Sequence, residues 1–443
     1  MVQTLPLSLP ASLVDTHAID LNGTYTTGWW MAADDVATAP CGDTYALYGA
    51  YRHTYGVDRA EPDPARQNFS YRILTRYAPD GTPLATAVFR RPGSGESPSA
   101  LAHGGEFALC PLPDGTLAVS AQADRTHLLA PDLSTVLGHF TGRGREVSEE
   151  PGAGEAGGPF VTSMSLTPAG RAVCVTTEYG VHRYGSRIPN IVALADTLPT
   201  PDAKPALRAI ASLDPEPAHQ SEADLSPYVR YRDEPVGLGN RPSPALTELL
   251  TPGSERSYAY DGSHLGRPAV LGEDRFVVPV FSRTYRGGSR GRPFSFVLLN
   301  GQGEMTGSLG GMQPWRDSPF TGFCWRVVAD PRRGHAFHLN RYGLYAWGPE
   351  GQLRAKLSTE SKAFKALTRF TLMEASPTGD LVLVHGKQQL VLRVPAPDDL
   401  GELGAVVEEA LRTYGKQRTA LKKRWEPVNW HWADDGSVPV HHL

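Results

Sequence analysis

The residues with the greatest chemical reach gather in a few glycine- and proline-punctuated stretches. GVHRYGSRIPN at 180–190 holds His182, Arg183, Tyr184 and Arg187. PYVRYRDEP, inside the long stretch 214–256, holds Tyr228, Arg230, Tyr231 and Arg232. SRTYRGGSRGRP at 282–293 holds Arg283, Tyr285, Arg286, Arg290 and Arg292 with no acidic residue, and 311–321 adds Trp315 and Arg316. A guanidinium fork matches carboxylate and phosphate, and arginine and large aromatics are the residue types enriched at interface hot spots. The chemistry these stretches offer is recognition of an anionic ligand or of a partner protein. Solvated arginine loops are the competing reading. The acidic, glycine-rich segment 141–159, with Glu146, Glu149, Glu150 and Glu155, can neutralise part of the arginine set.

Catalytic signatures are weaker. The chain has no HExxH, no phosphate-cradling GxxxxGK[ST] and no GxGxxG after a strand. Gly287-Gly288-Ser289-Arg290-Gly291 fits GxSxG, but a nucleophile elbow needs a strand before the serine and a helix after it, and here a Gly/Arg loop surrounds it. His335 and His338 stand three apart in a strand-like run, which puts them on opposite faces and unable to chelate one metal. Trp430-His431-Trp432-Ala433-Asp434-Asp435 is rich but reads as a strand and turn, and His441-His442 at the end of the sequence reads as incidental. Glu106, Asp330, Glu374 and Asp434 are carboxylates in or near inner strands, yet they form no evident acid/base pair. No cofactor or metal is expected.

The elements that must position these residues are short strands. Glu106–Phe140 reads as two hairpins, FALCPL to TLAVSAQ through Pro113-Asp114-Gly115, then THLLA to STVLGHF through Pro131-Asp132. Asp-Gly between alternating apolar runs signals a tight turn in which glycine supplies positive φ. Four antiparallel strands in so short a stretch make one propeller blade, strands A to D from the axis outward. The unit repeats at 31–89, 106–140, 160–213, 257–310 and 322–358, and begins again at Phe370. Residues 428–443 read as an A–B hairpin and 13–30 as a C–D hairpin, which together predict one more blade closed by strands from both ends of the sequence. The fold class is therefore all-β, a single-domain β-propeller of about seven four-stranded blades, with six or eight as alternatives. From Asp398 the spacing of Leu400, Leu403, Val406, Val407, Ala410, Leu411 and Tyr414 predicts a helix over 398–424, capped by Asp398 or Asp399. It is expected to take the place of the sixth blade's D strand, its basic end (Lys416, Arg418, Lys422, Lys423, Arg424) facing solvent.

In such blades A–B and C–D turns fall on one face, and B–C and D–A loops on the other. The A–B turns read PDG, PAG, PRRG, PTG and DDG, whereas 53–69, 141–159, 180–190, 214–256, 282–293 and 311–321 all fall on the opposite face. Long loops on a rigid scaffold carry function. The expected site is that face: His182, Arg183, Tyr184, Arg187, Arg230, Tyr231, Tyr285, Arg286, Arg290, Arg292 and Trp315.

Composition bounds the rest. With 43 Lys+Arg against 47 Asp+Glu, the chain lacks the basic excess of a nucleic-acid binder. No run of apolar residues is long enough for a membrane span, and Cys41, Cys110, Cys174 and Cys324 have neither metal spacing nor an evident disulfide framework. The expectation is a soluble cytoplasmic recognition module of undefined oligomeric state that binds a partner protein or a small anionic ligand. A hydrolase or lyase with its site in the axial pocket of the same face is the rival reading, and docking through the 398–424 helix is a third.

Overall fold

The computed structural model describes residues 2–4, 29–52, 69–90, 107–121, 126–140, 160–178, 188–195, 197–200, 207–212, 264–281, 294–312, 326–385, 390–421 and 440–442. These form six small sheets. Blade 1 comprises β2 (Trp29–Thr38), β3 (Thr44–Arg52), β4 (Phe69–Tyr77) and β5 (Pro83–Arg90). Blade 2 holds β6 (Phe107–Pro111), β7 (Leu117–Ala121), β8 (Thr126–Leu129) and β9 (Val136–Phe140), and blade 3 holds β10 (Phe160–Leu166), β11 (Ala172–Glu178), β12 (Ile188–Ala195) and β13 (Leu207–Ser212). In blade 4 the inner strand is split into β14 (His264–Leu265) and β15 (Ala269–Gly272), followed by β16 (Arg275–Phe281), β17 (Phe294–Asn300) and β18 (Met305–Ser308). Blade 5 is β19 (Val327–Asp330), β20 (His335–Asn340), β21 (Gly343–Trp347) and β22 (Leu353–Ser358). Blade 6 contains β23 (Phe370–Ala375), β24 (Asp380–His385), β25 (Leu390–Pro395) and, from the other end of the sequence, β1 (Val2–Thr4).

The inner strands pack in a closed cycle: β2 on β6, β6 on β10, β10 on β15, β15 on β19, β19 on β23, and β23 back on β2. That last contact leaves no gap, so the ring has six blades, the lower of the counts left open around seven. Strands from both ends of the sequence do join it, at different places from those expected. β1 completes blade 6, and β26 (Val440–His442) adds a parallel fifth strand to β5 in blade 1. Of the two stretches assigned to a further blade, 13–28 and 428–439 lie outside the described residues. Trp29 and Trp30 begin β2.

A correction concerns the helix. α1 (Leu403–Leu421) follows a 3-10 turn at Leu400–Glu402 in which Asp399 accepts from the Gly401 amide at 2.9 Å. It does not replace the D strand, because β1 occupies that position. α1 packs against β25, β1 and β22, burying Leu403, Val407, Leu411 and Tyr414 with Leu357, Leu392 and Val394 in the core between blades 5 and 6. Among the described residues no helix is long and apolar enough to cross a membrane.

Alternation builds the remaining cores. Tyr45, Leu47, Leu74 and Phe89 of blade 1 meet Leu109, Leu117, Val119 and Leu129 of blade 2. Blades 3 and 4 meet through Val173, Val175, Val192, Val270 and Val278.

The turns differ in detail from the two-residue form expected. In blade 2, Leu112 donates to Thr116 O at 2.8 Å and Gly115 donates back to Leu112 O at 3.0 Å, with Gly115 at φ 89°. This is a type I turn followed by a left-handed residue in a bulge, and its twist matches that of the strands. Asp114 locks it by accepting from the Thr116 amide and hydroxyl at 2.9 and 2.7 Å. The other hairpin of blade 2 puts Leu133 in the left-handed position at φ 61°, fully buried in the core between blades 1 and 2. A left-handed residue with a Cβ costs about 1–2 kcal/mol, whereas burying a leucine stabilises by roughly 1.5–3 kcal/mol. Burial wins. Leu133→Gly is therefore expected to lower stability by about 1 kcal/mol in urea denaturation despite relieving the backbone, and a stabilised variant would refute this ordering of the two effects.

Candidate functional site

The strand bounds confirm the lopsided distribution of connections. The A–B connections are 39–43, 112–116, 167–171, 273–274, 331–334 and 376–379. On the opposite face the B–C connections include 53–68, 179–187 and 282–293, and the D–A connections include 91–106, 141–159, 213–263 and 309–326. The C–D connections are short except 196–206 in blade 3. The predicted site residues His182, Arg183, Tyr184, Arg187, Arg230, Tyr231, Tyr285, Arg286, Arg290, Arg292 and Trp315 all lie outside the described residues, as do the GxSxG stretch, Glu106, His431 and Asp434. What is described are the strand ends that launch them: Glu178 and Ile188, Ser212 and His264, Phe281 and Phe294.

The described chemistry is at the axis, and most of it was not foreseen. Asp35 of β2 is 4 % exposed and takes Arg326 on Oδ1 and Arg267 on Oδ2, the latter at 3.2 Å. Its Oδ2 also accepts the Leu109 amide of β6 at 2.6 Å. Arg326, just before β19, donates through Nε to Met373 O at 2.8 Å and through Nη2 to Val36 O at 2.9 Å, and lies 3.4 Å from Glu374 Oε2 of β23. Arg267 donates through Nη2 to Leu109 O at 2.7 Å and through Nε to Ser165 Oγ of β10 at 3.3 Å, and Ser165 Oγ donates to Pro268 O at 2.7 Å. Every blade contributes a group.

Local backbone irregularities aim these groups. In β2 the register slips between Ala33 and Asp35, so Asp34 is an extra, bulged residue, the device by which strands re-aim side chains. Gly49 lies against it: a Cβ there would meet Asp34 Oδ2 at 2.9 Å and Arg72 Cζ at 3.0 Å, so glycine leaves room for the Asp34–Arg72 ion pair. In blade 4, Pro279 faces the inner strand through its carbonyl, which accepts the Gly266 amide at 2.8 Å, and it has no N–H to continue the ladder. The inner strand breaks there, at Gly266-Arg267-Pro268. Pro268 holds Arg267 in an extended conformation, and its side chain reaches the axis.

This cluster is built to hold rather than to react. Two carboxylates meet two guanidiniums, and the arginine forks are spent on carboxylates and backbone carbonyls. Cys110, beside them, is a poor nucleophile: burial pushes its thiol up to about 12, Arg267 counteracting and Glu374 and Asp35 reinforcing the rise. Of the carboxylates considered from sequence, Glu374 belongs to this cluster. Asp330 serves its own turn, accepting the Arg332 amide at 3.0 Å and pairing with Arg333. His335 and His338 occupy separate surroundings. His338 Nδ1 donates to Arg326 O at 2.9 Å and its ring meets Phe296, while His335 packs on Phe337 near Asp330, its pKa lowered by burial. The available signal for Asp35, Arg267 and Arg326 was a charge set inside an apolar, strand-like run, as in WWMAADDVAT.

Removing one partner of a buried, hydrogen-bonded pair costs about 3–5 kcal/mol. Asp35→Asn is expected to lose that much in urea denaturation, and Asp35→Asn with Arg326→Met less than the sum of the single losses; additive losses would mean the pair is not coupled. Asp34 gives a pH signature. Burial raises its carboxyl to about 6 from 3.8, with Arg72 opposing and Asp35 adding. A carboxyl raised in the folded state binds its proton more tightly there than when unfolded, so its contribution to stability falls as pH rises through 6. Between pH 5 and 7.5 this amounts to about 1 kcal/mol. Asp34→Asn should flatten that part of the stability–pH curve, and an unchanged curve would assign the dependence elsewhere.

No protein-family model matches the chain, and no curated protein matches it. Among solved structures it is similar to the WD40 β-propeller domain of Doa1, at 12 % identity over 83 % of this chain and 96 % of that one, with a TM-score of 0.32. It is also similar to Kuenenia stuttgartiensis hydrazine synthase, at 9 % identity over 83 % of this chain and 96 % of that one, TM-score 0.36. A third similarity is to U3-55K, at 11 % identity over 82 % and 93 %, TM-score 0.34. The propeller assignment rests on the strand pairing and ring closure described above.

Proposed function

We propose that this propeller is a non-catalytic recognition scaffold whose binding surface is the face from which the B–C and D–A connections emerge. The observation that carries the reading is the one-sided distribution of connection lengths: all six A–B connections, two to five residues long, and most C–D connections do no more than close a hairpin. A second support is that the axial carboxylates and guanidiniums are committed to one another and to backbone across all six blades. On this reading Arg183, Arg187, Arg230, Arg286, Arg290 and Arg292 supply cationic forks, and Tyr184, Tyr231, Tyr285 and Trp315 supply aromatic anchors, to a partner protein or an anionic ligand.

The test compares tagged wild type with Arg183→Ala/Arg286→Ala/Arg290→Ala, and with a control on the hairpin face, Asp80→Ala/Asp114→Ala/Asp132→Ala. Partner capture, and calorimetric titration with inorganic phosphate and with a polyanion, are expected to survive in the control and fall at least tenfold in the arginine variant. Equal capture by both variants would sink the proposal.

A further inference from the structure

β1 differs from the D strands of the other five blades. β5, β9, β13, β18 and β22 each follow their own C strand, and each carries a register slip: Leu84, Leu137, Thr306 and Arg354 are extra residues just after the C–D connection, and Ile210 is one farther along β13. Bulges twist an edge away from further pairing. β1 arrives from the far end of the sequence and pairs with β25 without a slip, Val2 with Leu392, Gln3 with Val391 and Thr4 with Leu390. β25 itself continues to Pro395, and among the described residues no strand pairs with the outer edge of Arg393–Pro395. α1 stands beside this edge, packed on Leu392 and Val394.

We propose that the outer edge of blade 6 is a strand-acceptor slot for an extended segment of a partner protein, longer than β1, that displaces β1 and pairs along Leu390–Val394. The slot specifies the chemistry of its occupant, because residues directly opposite in an antiparallel pair share a face. Positions opposite Leu392 and Val394 face the apolar core under α1 and take β-branched residues. The position opposite Arg393 faces a guanidinium that donates to Thr44 Oγ1 of blade 1 at 2.6 Å, and takes an acidic residue. With the register of β1 retained, the fitting segment reads apolar–acidic–Val–Gln–Thr. β1 competes from within the chain at an effective concentration of the order of millimolar, since residues 5–28 separate it from β2. The slot lies on the outer rim and does not depend on the loop-face proposal.

The probe is a fluorescein-labelled acetyl-Val-Glu-Val-Gln-Thr-Leu peptide, titrated into the full chain, into Gln3→Pro, which weakens β1 pairing, and against a control peptide with Glu replaced by Lys. Hydrogen exchange on wild type maps the site. Saturable binding is expected, at least tenfold tighter to Gln3→Pro, at least fivefold weaker for the Lys peptide, and with altered exchange at 390–395. If Gln3→Pro does not fold, the Glu/Lys pair and the exchange map on wild type decide. No saturable binding, equal binding of the two peptides, or exchange changes elsewhere would overturn the proposal. So would a concentration-dependent dimer protected at 390–395, which would make a second copy the occupant.

Discussion

The ring depends on one carboxylate. Asp35 stands on the inner strand of blade 1 and is shared between Arg267 of blade 4 and Arg326 of blade 5, while its Oδ2 also accepts an amide of blade 2. The two arginines pass the connection on, Arg267 to blades 2 and 3, Arg326 to blades 1 and 6. Apolar packing between blades is strong but non-directional, and accommodates small rotations of one sheet against the next. A buried charge network with fixed donor geometry does not. Desolvating four charged groups is costly, and such a network is weak evidence of stability in itself. Its geometry is matched to six blades, since a seventh inner strand would pull the two guanidiniums away from their shared carboxylate.

The outer rim solves the opposite problem. Every blade ends in a strand with an open side, and open sides invite association. Five blades carry a bulge in strand D, at its second residue in four of them and at Ile210, the fourth residue, in blade 3. Blade 6 cannot, because its outer strand is not the continuation of its own C strand, and it has α1 beside it instead. Both ends of the sequence also cross the same boundary: β1 sits on blade 6 while the chain resumes in blade 1, and β26 sits on blade 1 after α1 has left blade 6. The boundary with no short covalent connection is thus spanned twice. It is further tied by Thr38 Oγ1 donating to Ala375 O at 3.4 Å and by Arg393 donating to Thr44.

What was legible in the sequence was what is local. Pro-Asp-Gly between alternating runs marks a hairpin because the turn's hydrogen bonds close over neighbouring residues, as at Leu112–Thr116. Five whole blades and the inner three strands of the sixth could be placed on that basis, as could α1 from its 3.6-residue spacing. Asp35 was not legible as a functional centre, because its partners Arg267 and Arg326 are hundreds of positions away and the bulge that aims it has no sequence signature. The position of β1 was hidden for another reason: three residues carry no periodicity, so the unfilled D position was assigned to the nearest patterned segment, the helix.

The two faces of the ring consequently live under different constraints. The axial network draws on the inner strands and the residues just before them, and the turns of the hairpin face are themselves tied between neighbours: A–B turns through Arg171 to Glu273 across blades 3 and 4 and Arg332 to Thr378 O at 3.1 Å across blades 5 and 6, and the C–D turn of blade 2 through Pro131 O, which accepts from Arg76 of β4 at 2.7 Å. A change there disturbs a bond that spans blades. On the other face Arg326, the last residue of connection 309–326, reaches Asp35, while the long connections 53–68, 141–159, 179–187, 213–263 and 282–293 leave from strand ends that contribute no group to the network. A scaffold that fixes its geometry from the axis and one face leaves the long connections of the opposite face free to differ in length and composition, and the arginine- and tyrosine-rich segments belong to those connections.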